Sequence, residues 1–490
     1  MKNMLSEPDR NPLRPNVPMT LAATSLGFAV VQLDGSILNV ALSQIGISLG
    51  TDINDLQWTV DAYFVAFAVL LLSAGSLSDR WGARRAFVSG FIVFSLASLA
   101  SGLAPNVAVL IAARTVQGAG AALLVPCSLA LLNGVCRDDA GLRARAVGLW
   151  TAAGGVGIAA GPILGGLLIA FFGWRSIFLI NLPIGVVGIW LTLRFLNQPV
   201  SARARSLDLT GQTLIALTLL GLVGAIIETG SSGWRSTIVL SSIMFAVAAG
   251  TGFIVVEKRV SEPAIPTDLF RSMNVSMTML AGFTVNAVMF GVSFAFAFYF
   301  QRTLFYSTIE TGIAFLPFAL MVTAANVVGG RCVARFGLRF PMVVGLIVAA
   351  VGCALSLGID RDTTYVAILP GQLLIRLGIG LVVPALTTGI LAAVPSVRSG
   401  IASGALNAVR QTGGAVGVAV FGALMATDMV EGMRIALLIG GLLLLVTTII
   451  SVISAQVSQE STKWSARFVR EFRSIPSSVR RRRPEVRRAR

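Results

Sequence analysis

Apolar segments recur along the whole chain, and each is long enough to cross a lipid bilayer as an α-helix. A spanning helix needs about 20 consecutive apolar residues, and residues 19–455 contain fourteen stretches of this kind. Charged residues make up 12% of the chain, against about 25% in soluble domains. The sequence therefore predicts an all-α membrane protein with fourteen transmembrane helices. It leaves no soluble segment large enough for a separate enzyme.

The net charge of +16 is spread over short loops and the C-terminal tail. Short cytoplasmic loops are enriched in Lys and Arg, so we place both termini on the cytoplasmic side of the cell membrane. The tail ends in RRRRPEVRRAR, which suits an anionic inner leaflet at about 1 kcal/mol per basic residue. We therefore expect membrane lipids, and no nucleic acid, as partners of the tail.

Metal-binding and nucleotide-binding motifs are absent from the sequence. The chain has no histidine, its four cysteines lack metal-ligand spacing, and it contains no Walker loop. We expect no cofactor, no enzymatic activity and no direct ATP coupling. Any proton chemistry near neutral pH would have to use carboxylates.

In the first half, three charged residues stand well inside predicted spans: Asp34, Asp61 and Arg114. Arg114 lies about two turns into Val109–Leu132, where a guanidinium costs about 2.5 kcal/mol on insertion scales. It must face a partner or water, unless it snorkels to the nearer interface. Asp34 lies within the first span, where it serves function or a static pair with a neighbouring Arg. Asp61 lies near the outer end of the second span, where it is either functional or solvated.

Two glycine-rich stretches carry further signals. In GSLSDRWGARR, Gly75 and Gly82 bracket a tight turn, and Asp79 is placed to accept hydrogen bonds from arginines or to cap a helix. In GIAAGPILGG, residues 157–166, the proline predicts a kink and glycines at a spacing of four predict an intimate helix crossing. The glycines and proline concerned are Gly157, Gly161, Pro162, Gly165 and Gly166.

These stretches resemble motifs of the major facilitator superfamily. GSLSDRWGARR resembles its loop between helices two and three, LIAARTVQGAGAA its helix-four motif, and GIAAGPILGG the helix-five motif of its drug:proton antiporters. LDGSILNVAL and WRSIFLINLPIG resemble the fourteen-helix branch, which includes multidrug and methylenomycin exporters. Ser36 and Ser43 are mild departures from that branch, which often has threonine and proline at those positions.

The resemblance implies two six-helix bundles with two extra central helices and export of small lipophilic compounds by alternating access in exchange for protons, by a monomer. It implies that the first helix meets the fourth, so that Asp34 carries the proton, Arg114 tunes it, and Asp61 is a second carboxylate or cation contact. A conformational latch is implied for Gly75, Asp79, Arg80, Gly82 and Arg84. A symporter or facilitator of another solute, or a membrane receptor, is the alternative function.

An internal repeat supports two halves. Aligning Arg335 on Arg80 places Ala334 on Asp79, and the same offset of about 255 residues later puts Gln372 at the Arg114 position, with Arg376 one turn on. We therefore expect the coupling chemistry in the first half. The predicted divisions are a tail at 1–18, a first bundle at 19–196, a linker with the two extra helices at 197–271, a second bundle at 272–455 and a basic tail at 456–490.

Other polar residues at depth are candidates for contact with substrate or for coupling. They are Asn39, Gln117, Asn181, Gln372, Arg376, Asn407 and Arg410. Met and Phe residues on the ninth span, including Met289 and Phe290, suggest an apolar cavity wall. Glu228, in the loop after the seventh span, is assigned no role.

Overall fold

The computed structural model describes residues 17–136, 139–197, 208–260, 267–394 and 399–474, and these ranges contain helices and no strand. The helices are α1 Val17–Leu49, α2 Ile53–Trp81, α3 Ala83–Gly102, α4 Val107–Val135, α5 Ala140–Phe172, α6 Ser176–Leu179, α7 Asn181–Phe195, α8 Leu209–Ser232, α9 Thr237–Glu257, α10 Met273–Phe298, α11 Thr308–Phe336, α12 Arg339–Leu355, α13 Tyr365–Ala392, α14 Ser399–Met425 and α15 Met429–Ser474. Thirteen spans, or fourteen with the bent α2 counted, are long and apolar enough to cross a membrane, α6 and α7 forming one of them. The prediction of an all-α, fourteen-span fold is confirmed.

The helices form two bundles with a helix pair beside them. In the first half α1 packs on α5, and α4 packs on both α2 and α3. In the second half α10 packs on α14, and α13 packs on both α11 and α12. The halves meet where α2 contacts α14 and α5 contacts α11, while α8 and α9 pair with each other and α8 lies against α2 and α14. Most of the predicted N-terminal tail, residues 198–207 of the linker and the end of the basic tail lie outside the described residues.

The spans alternate between two faces of the molecule, which we name after glycines with positive φ. The Gly50 face carries the loops at Gly50, Gly173 and Gly233, and the Gly82 face carries the turns at Gly82 and Gly337. Gly82 ends α2 at a φ of 86° and Gly337 ends α11 at 78°, a conformation that side chains with a Cβ rarely adopt. The predicted repeat therefore recurs in backbone geometry.

The prediction that Gly75 opens a turn is wrong. α2 continues through Trp81, and Gly75 lies within it, just beyond a 56° bend between Leu71 and Ser73. Small and hydroxyl residues after the bend offer little resistance to it. Asp79 lies in the last turn of α2 and is not the N-cap of α3, since Gly82 holds that position and no side-chain hydrogen bond caps it.

Glycines bring equivalent helices together in both halves. A Cβ added to Gly157 or Gly161 of α5 would meet the backbone of α1 within 3.0 Å. A Cβ added to Gly413 or Gly417 of α14 would likewise meet the carbonyl oxygens of α10. The predicted intimate crossing of α5 is therefore present, and Gly165 continues it along Ile37. Gly166, on another side of α5, faces Thr308 of α11 instead.

Candidate functional site

An ion pair between α1 and α4 is buried in the first half. Arg114 Nη1 on α4 donates to Asp34 Oδ2 on α1 at 2.6 Å, and each side chain is 1% exposed. The interpretation of Arg114 as a residue that snorkels to the interface is therefore wrong. The contact between the first and fourth helices, expected from the family resemblance, is present.

Three polar side chains complete the surroundings of the Asp34 carboxylate. Gln117 Nε2 donates to Asp34 Oδ1 at 2.8 Å, and Asn181 Nδ2 of α7 donates to the same oxygen at 2.9 Å. Both amides also donate to the Ser98 hydroxyl of α3, at 3.2 and 2.9 Å. Ser98 in turn donates to the Phe178 carbonyl at 2.9 Å. We call Asp34, Ser98, Arg114, Gln117 and Asn181 the Asp34 network; it joins α1, α3, α4 and α7.

The remaining contacts of Arg114 connect the network to α2. Its Nη1 also donates to Gln117 Oε1 at 2.8 Å, and its Nε donates to the Thr59 carbonyl at 3.3 Å. The guanidinium lies 4.3 Å from the centre of the Tyr63 ring, a favourable cation–π distance. Tyr63 is 1% exposed and therefore lies within the bundle.

Asp61 lies apart from this network. It is fully buried in α2, and neither carboxylate oxygen has a hydrogen-bond partner within the described residues. The alternative that it is solvated near the surface is therefore wrong. A buried carboxyl without partners is costly when ionised, so Asp61 suits a group that is neutral in this conformation.

The buried arginines of the second half form no ion pair within the described residues. Arg376 of α13 donates from Nη1 to the Met289 carbonyl at 3.2 Å and from Nη2 to the Ser293 hydroxyl at 3.0 Å. Its Nε and both polar atoms of the Gln372 side chain are buried without partners in the described part of the chain. Arg410 also has a buried Nε without a partner. Asn407 donates to the Ser403 carbonyl within α14 at 3.1 Å.

A cavity of about 730 Å³, open on one side, lies between the halves. Its wall includes Asn39 of α1, Tyr63 of α2, Pro162 of α5 and Arg376 of α13. Met289 and Phe290 line it as well, as the pattern on the ninth span indicated. Asp34 is not part of the wall, but its neighbour Gly35 is.

Hydrogen bonds between the halves lie toward the Gly50 face. Gln57 Nε2 of α2 donates to the Ala419 carbonyl of α14 at 2.8 Å, and Gln301 Nε2 donates to the Val40 carbonyl at 2.9 Å. Thr308 Oγ1 donates to the Gly166 carbonyl at 3.3 Å. These contacts close the Gly50 side of the cavity. Glu228 takes no part, since its carboxylate accepts from Ser231 and Ser232 at the surface.

Arg84, a member of the predicted latch, binds within its own half. Its Nε donates to the Thr192 carbonyl at 3.3 Å and its Nη2 to the Leu193 carbonyl at 2.6 Å. A cation at the last carbonyls of α7 is favoured by the helix dipole. In this conformation Arg84 therefore fixes α3 to α7 and does not bridge the halves.

Several residues of the site escaped the sequence analysis. Ser98 and Gln57 are ordinary polar residues for a spanning helix, and no spacing or motif separates them from others of their type. Tyr63 carries no distinguishing signal either, because a tyrosine near the end of a span is equally expected at a membrane interface.

Comparison with known proteins relates the chain to one transporter family. The sequence profile described as Major Facilitator Superfamily matches residues 24–218 and 203–418. The chain is 37% identical to the multidrug resistance protein Stp of Mycobacterium tuberculosis over 408 residues, 83% of this chain and 76% of the relative. It is 36% identical to the methylenomycin A resistance protein of Streptomyces coelicolor over 433 residues, 88% and 91% of the two chains.

A further relative and one solved structure extend this comparison. The tetracenomycin C resistance and export protein of Streptomyces glaucescens is 33% identical over 409 residues, 83% of this chain and 76% of the relative. The crystal structure of the human organic anion transporter MFSD10 superposes with a TM-score of 0.61 at 14% identity. The superposition covers 89% of this chain and 100% of the other, which shows a shared fold.

Proposed function

The chain belongs to the Major Facilitator Superfamily, and on that premise we propose that it exports small lipophilic drugs or antibiotics in exchange for protons. It is a multi-pass membrane transporter and not an enzyme. The relatives named for multidrug, methylenomycin A and tetracenomycin C resistance support a drug substrate. The network and the cavity are each built from one chain, which supports a monomer as the working unit.

The observation that carries the proton part of the proposal is the buried Asp34–Arg114 pair. A carboxylate beside a guanidinium stays ionised, whereas the same carboxylate in an apolar site without that partner takes up a proton. A helix movement that separates α1 from α4 therefore binds a proton at Asp34, and the reverse movement releases it. The amides of Gln117 and Asn181 hold Asp34 Oδ1 in place while Oδ2 exchanges its partner.

The cavity lets this proton step depend on the substrate. Tyr63 contacts both the Arg114 guanidinium and the cavity space, and Gly35 and Ser36 of the cavity wall directly follow Asp34. A drug in the cavity shifts these elements, and protonation of Asp34 shifts them in the opposite sense. Asp61, buried on the same helix as Tyr63, is proposed as the second carboxylate.

The protein is proposed to lie in the plasma membrane with its Gly82 face in the cytoplasm. The basic loops on that face support this orientation. The closed Gly50 side then faces outward, so this conformation is inward-facing. Single cysteines near Arg80, Arg143, Arg203 and Lys258, in a cysteine-free background, should resist an impermeant thiol reagent added outside. Rapid labelling at the Arg203 position from outside would contradict this topology.

Asp79 and Arg80 form the proposed latch of the opposite, outward-open conformation. There they would bind the end of a helix in the other half by charge-assisted hydrogen bonds. Asp79→Asn should therefore lower the efflux rate about tenfold or more while leaving expression and thermal stability unchanged. Normal efflux by a normally expressed Asp79→Asn protein would contradict the latch.

The decisive experiment measures uphill efflux of a drug and dye panel from cells, with and without a proton uncoupler. The wild type should export against a gradient and lose this ability with the uncoupler. Asp34→Asn should abolish uphill efflux while still letting substrate equilibrate downhill. Asp428→Asn, which changes an exposed loop acid, is the matched control and should export normally.

Retained uphill efflux by Asp34→Asn would remove Asp34 from the mechanism. Efflux that is insensitive to the uncoupler would indicate a facilitator or another driving ion. Accumulation driven inward by protons would indicate a symporter.

A further inference from the structure

The cavity has an unusual charge inventory. Among the residues that form its wall, Arg376 carries the single formal charge. The Asp34 carboxylate is neutralised by Arg114 behind the wall, and Asp61 does not reach the cavity space. A ligand in the cavity therefore meets one cation and no exposed anion within the described residues.

Arg376 also has unused hydrogen-bonding capacity. A guanidinium offers five N–H bonds, and two of them donate here, to the Met289 carbonyl and the Ser293 hydroxyl. The side chain is only 4% exposed, and its Nε has no acceptor in the described part of the chain. Burying a cation with incomplete hydrogen bonding is costly, so an anion that completes its bonding would be held firmly.

Neighbouring groups add to this preference. The Tyr63 hydroxyl belongs to the cavity wall and has no hydrogen-bond partner among the described residues. Gln411 of α14 lines the same space, and its side-chain Oε1 has no hydrogen-bond partner among the described residues. No carboxylate lies within ion-pair distance of Arg376 in the ranges that the structure describes.

We propose that the cavity binds apolar molecules that carry an anionic group, such as a carboxylate, and that Arg376 is the residue that recognises this group. This substrate class rests on the proposed function for its transport, although binding itself does not depend on proton coupling. The alternative is a purely structural role, in which Arg376 only links α13 to α10 by its hydrogen bonds. Such a role would change stability, but it would not distinguish ligands that differ in charge.

The test uses three fluorescent probes that share one apolar body. Dansylglycine carries a negative charge, dansylglycinamide is neutral, and dansylethylenediamine carries a positive charge. Their affinities for the purified full-length protein in detergent are measured from the rise in dansyl emission. The wild type should bind dansylglycine about tenfold or more tightly than dansylethylenediamine, because hydrogen bonds to charged groups are worth at least this factor.

Variants assign the preference to Arg376. Arg376→Gln should remove the preference and leave the affinity for dansylglycinamide within about twofold, while Arg376→Lys should keep part of it. Arg361→Gln is the matched control, since it removes an exposed arginine of the second half that does not line the cavity, and should keep the full preference. A thermal melt of each variant verifies folding.

Equal affinities of the three probes for the wild type, absence of dansylglycine binding, or an unchanged preference in folded Arg376→Gln would overturn the proposal. If Arg376→Gln does not fold, a preference that is reduced or lost in Arg376→Lys at unchanged dansylglycinamide affinity supports the proposal, and a full preference in that variant overturns it. Uphill efflux without a charge preference would support the proposed export function and contradict anion recognition by Arg376. A charge preference without uphill efflux would leave only the binding inference.

Discussion

The first half gives its buried arginine a carboxylate and a side-chain amide oxygen, whereas the second half gives its arginine a carbonyl and a hydroxyl. Arg114 binds Asp34 at 2.6 Å; Arg376, on the equivalent helix, binds the Met289 carbonyl and Ser293. Yet both halves use glycines at a spacing of four to seat α5 on α1 and α14 on α10. The packing scheme is shared and the charge scheme is not.

We propose that this difference reflects separate tasks of the two halves. A cation with its own carboxylate can exchange a proton without a ligand, which suits coupling. A cation without its own carboxylate can complete its hydrogen bonding with an anionic ligand that enters the cavity, which suits recognition. Shared packing keeps the two halves similar in shape, so that they can rock against each other about the cavity.

The largest expected effect on stability comes from removing Arg114. Arg114→Met leaves the Asp34 charge buried without a partner and should lower the free energy of unfolding by about 3–5 kcal/mol. Arg376→Met loses two hydrogen bonds to neutral groups and should cost at most about 2 kcal/mol. Reversible unfolding in mixed micelles measures both. Each variant controls for the other, and equal losses would show that the charge schemes of the halves do not differ in energy.

The glycine crossings should respond alike in the two halves. Gly157→Ala in α5 and Gly417→Ala in α14 each force a Cβ into the backbone of the neighbouring helix, and each should lower stability by about 1–3 kcal/mol. Gly148→Ala and Gly404→Ala lie on the same helices with open space around them. These controls should be neutral or stabilising by about 0.5–1 kcal/mol. A loss confined to one half would contradict the shared packing scheme.

The smallest effect concerns the loop before α15. N–H groups of Glu431 and Val430, together with Arg361, hold the pKa of Asp428 below its ordinary value, whereas the loop before α6 turns on Gly173 without an acid. A lowered folded-state pKa gives stability that is present above the unfolded pKa of about 3.9 and is lost as pH falls through the folded value.

The melting temperature of the wild type should therefore exceed that of Asp428→Asn by a constant margin above about pH 5 and by a shrinking margin below about pH 4. Because the ion pair is exposed, this margin should be the smallest of the three effects. A margin that persists unchanged to pH 3 would show that the charge of Asp428 contributes nothing.

Motifs predicted some members of the site better than others. Asp34 and Arg114 stood out because a charge in a long apolar stretch is rare and expensive, and Asn181 was selected as a polar residue at depth. Ser98 was not, although it accepts hydrogen bonds from two members of the network. A hydroxyl in a helix can satisfy itself on its own backbone, so its presence in a span carries little information.

Residue order was enough to establish the number of spans, the two-fold repeat and the need of Arg114 for a partner, because apolar length, repeat offset and desolvation cost are local properties of the chain. It could not establish that Gly75 lies within a helix, that Asp61 is sealed from water, or that Arg84 binds α7. Those outcomes depend on how each helix is bent, rotated and placed against its neighbours. Asn181 reaches Asp34 across 147 positions of sequence, a contact that no one-dimensional pattern encodes and that only the packed bundle creates.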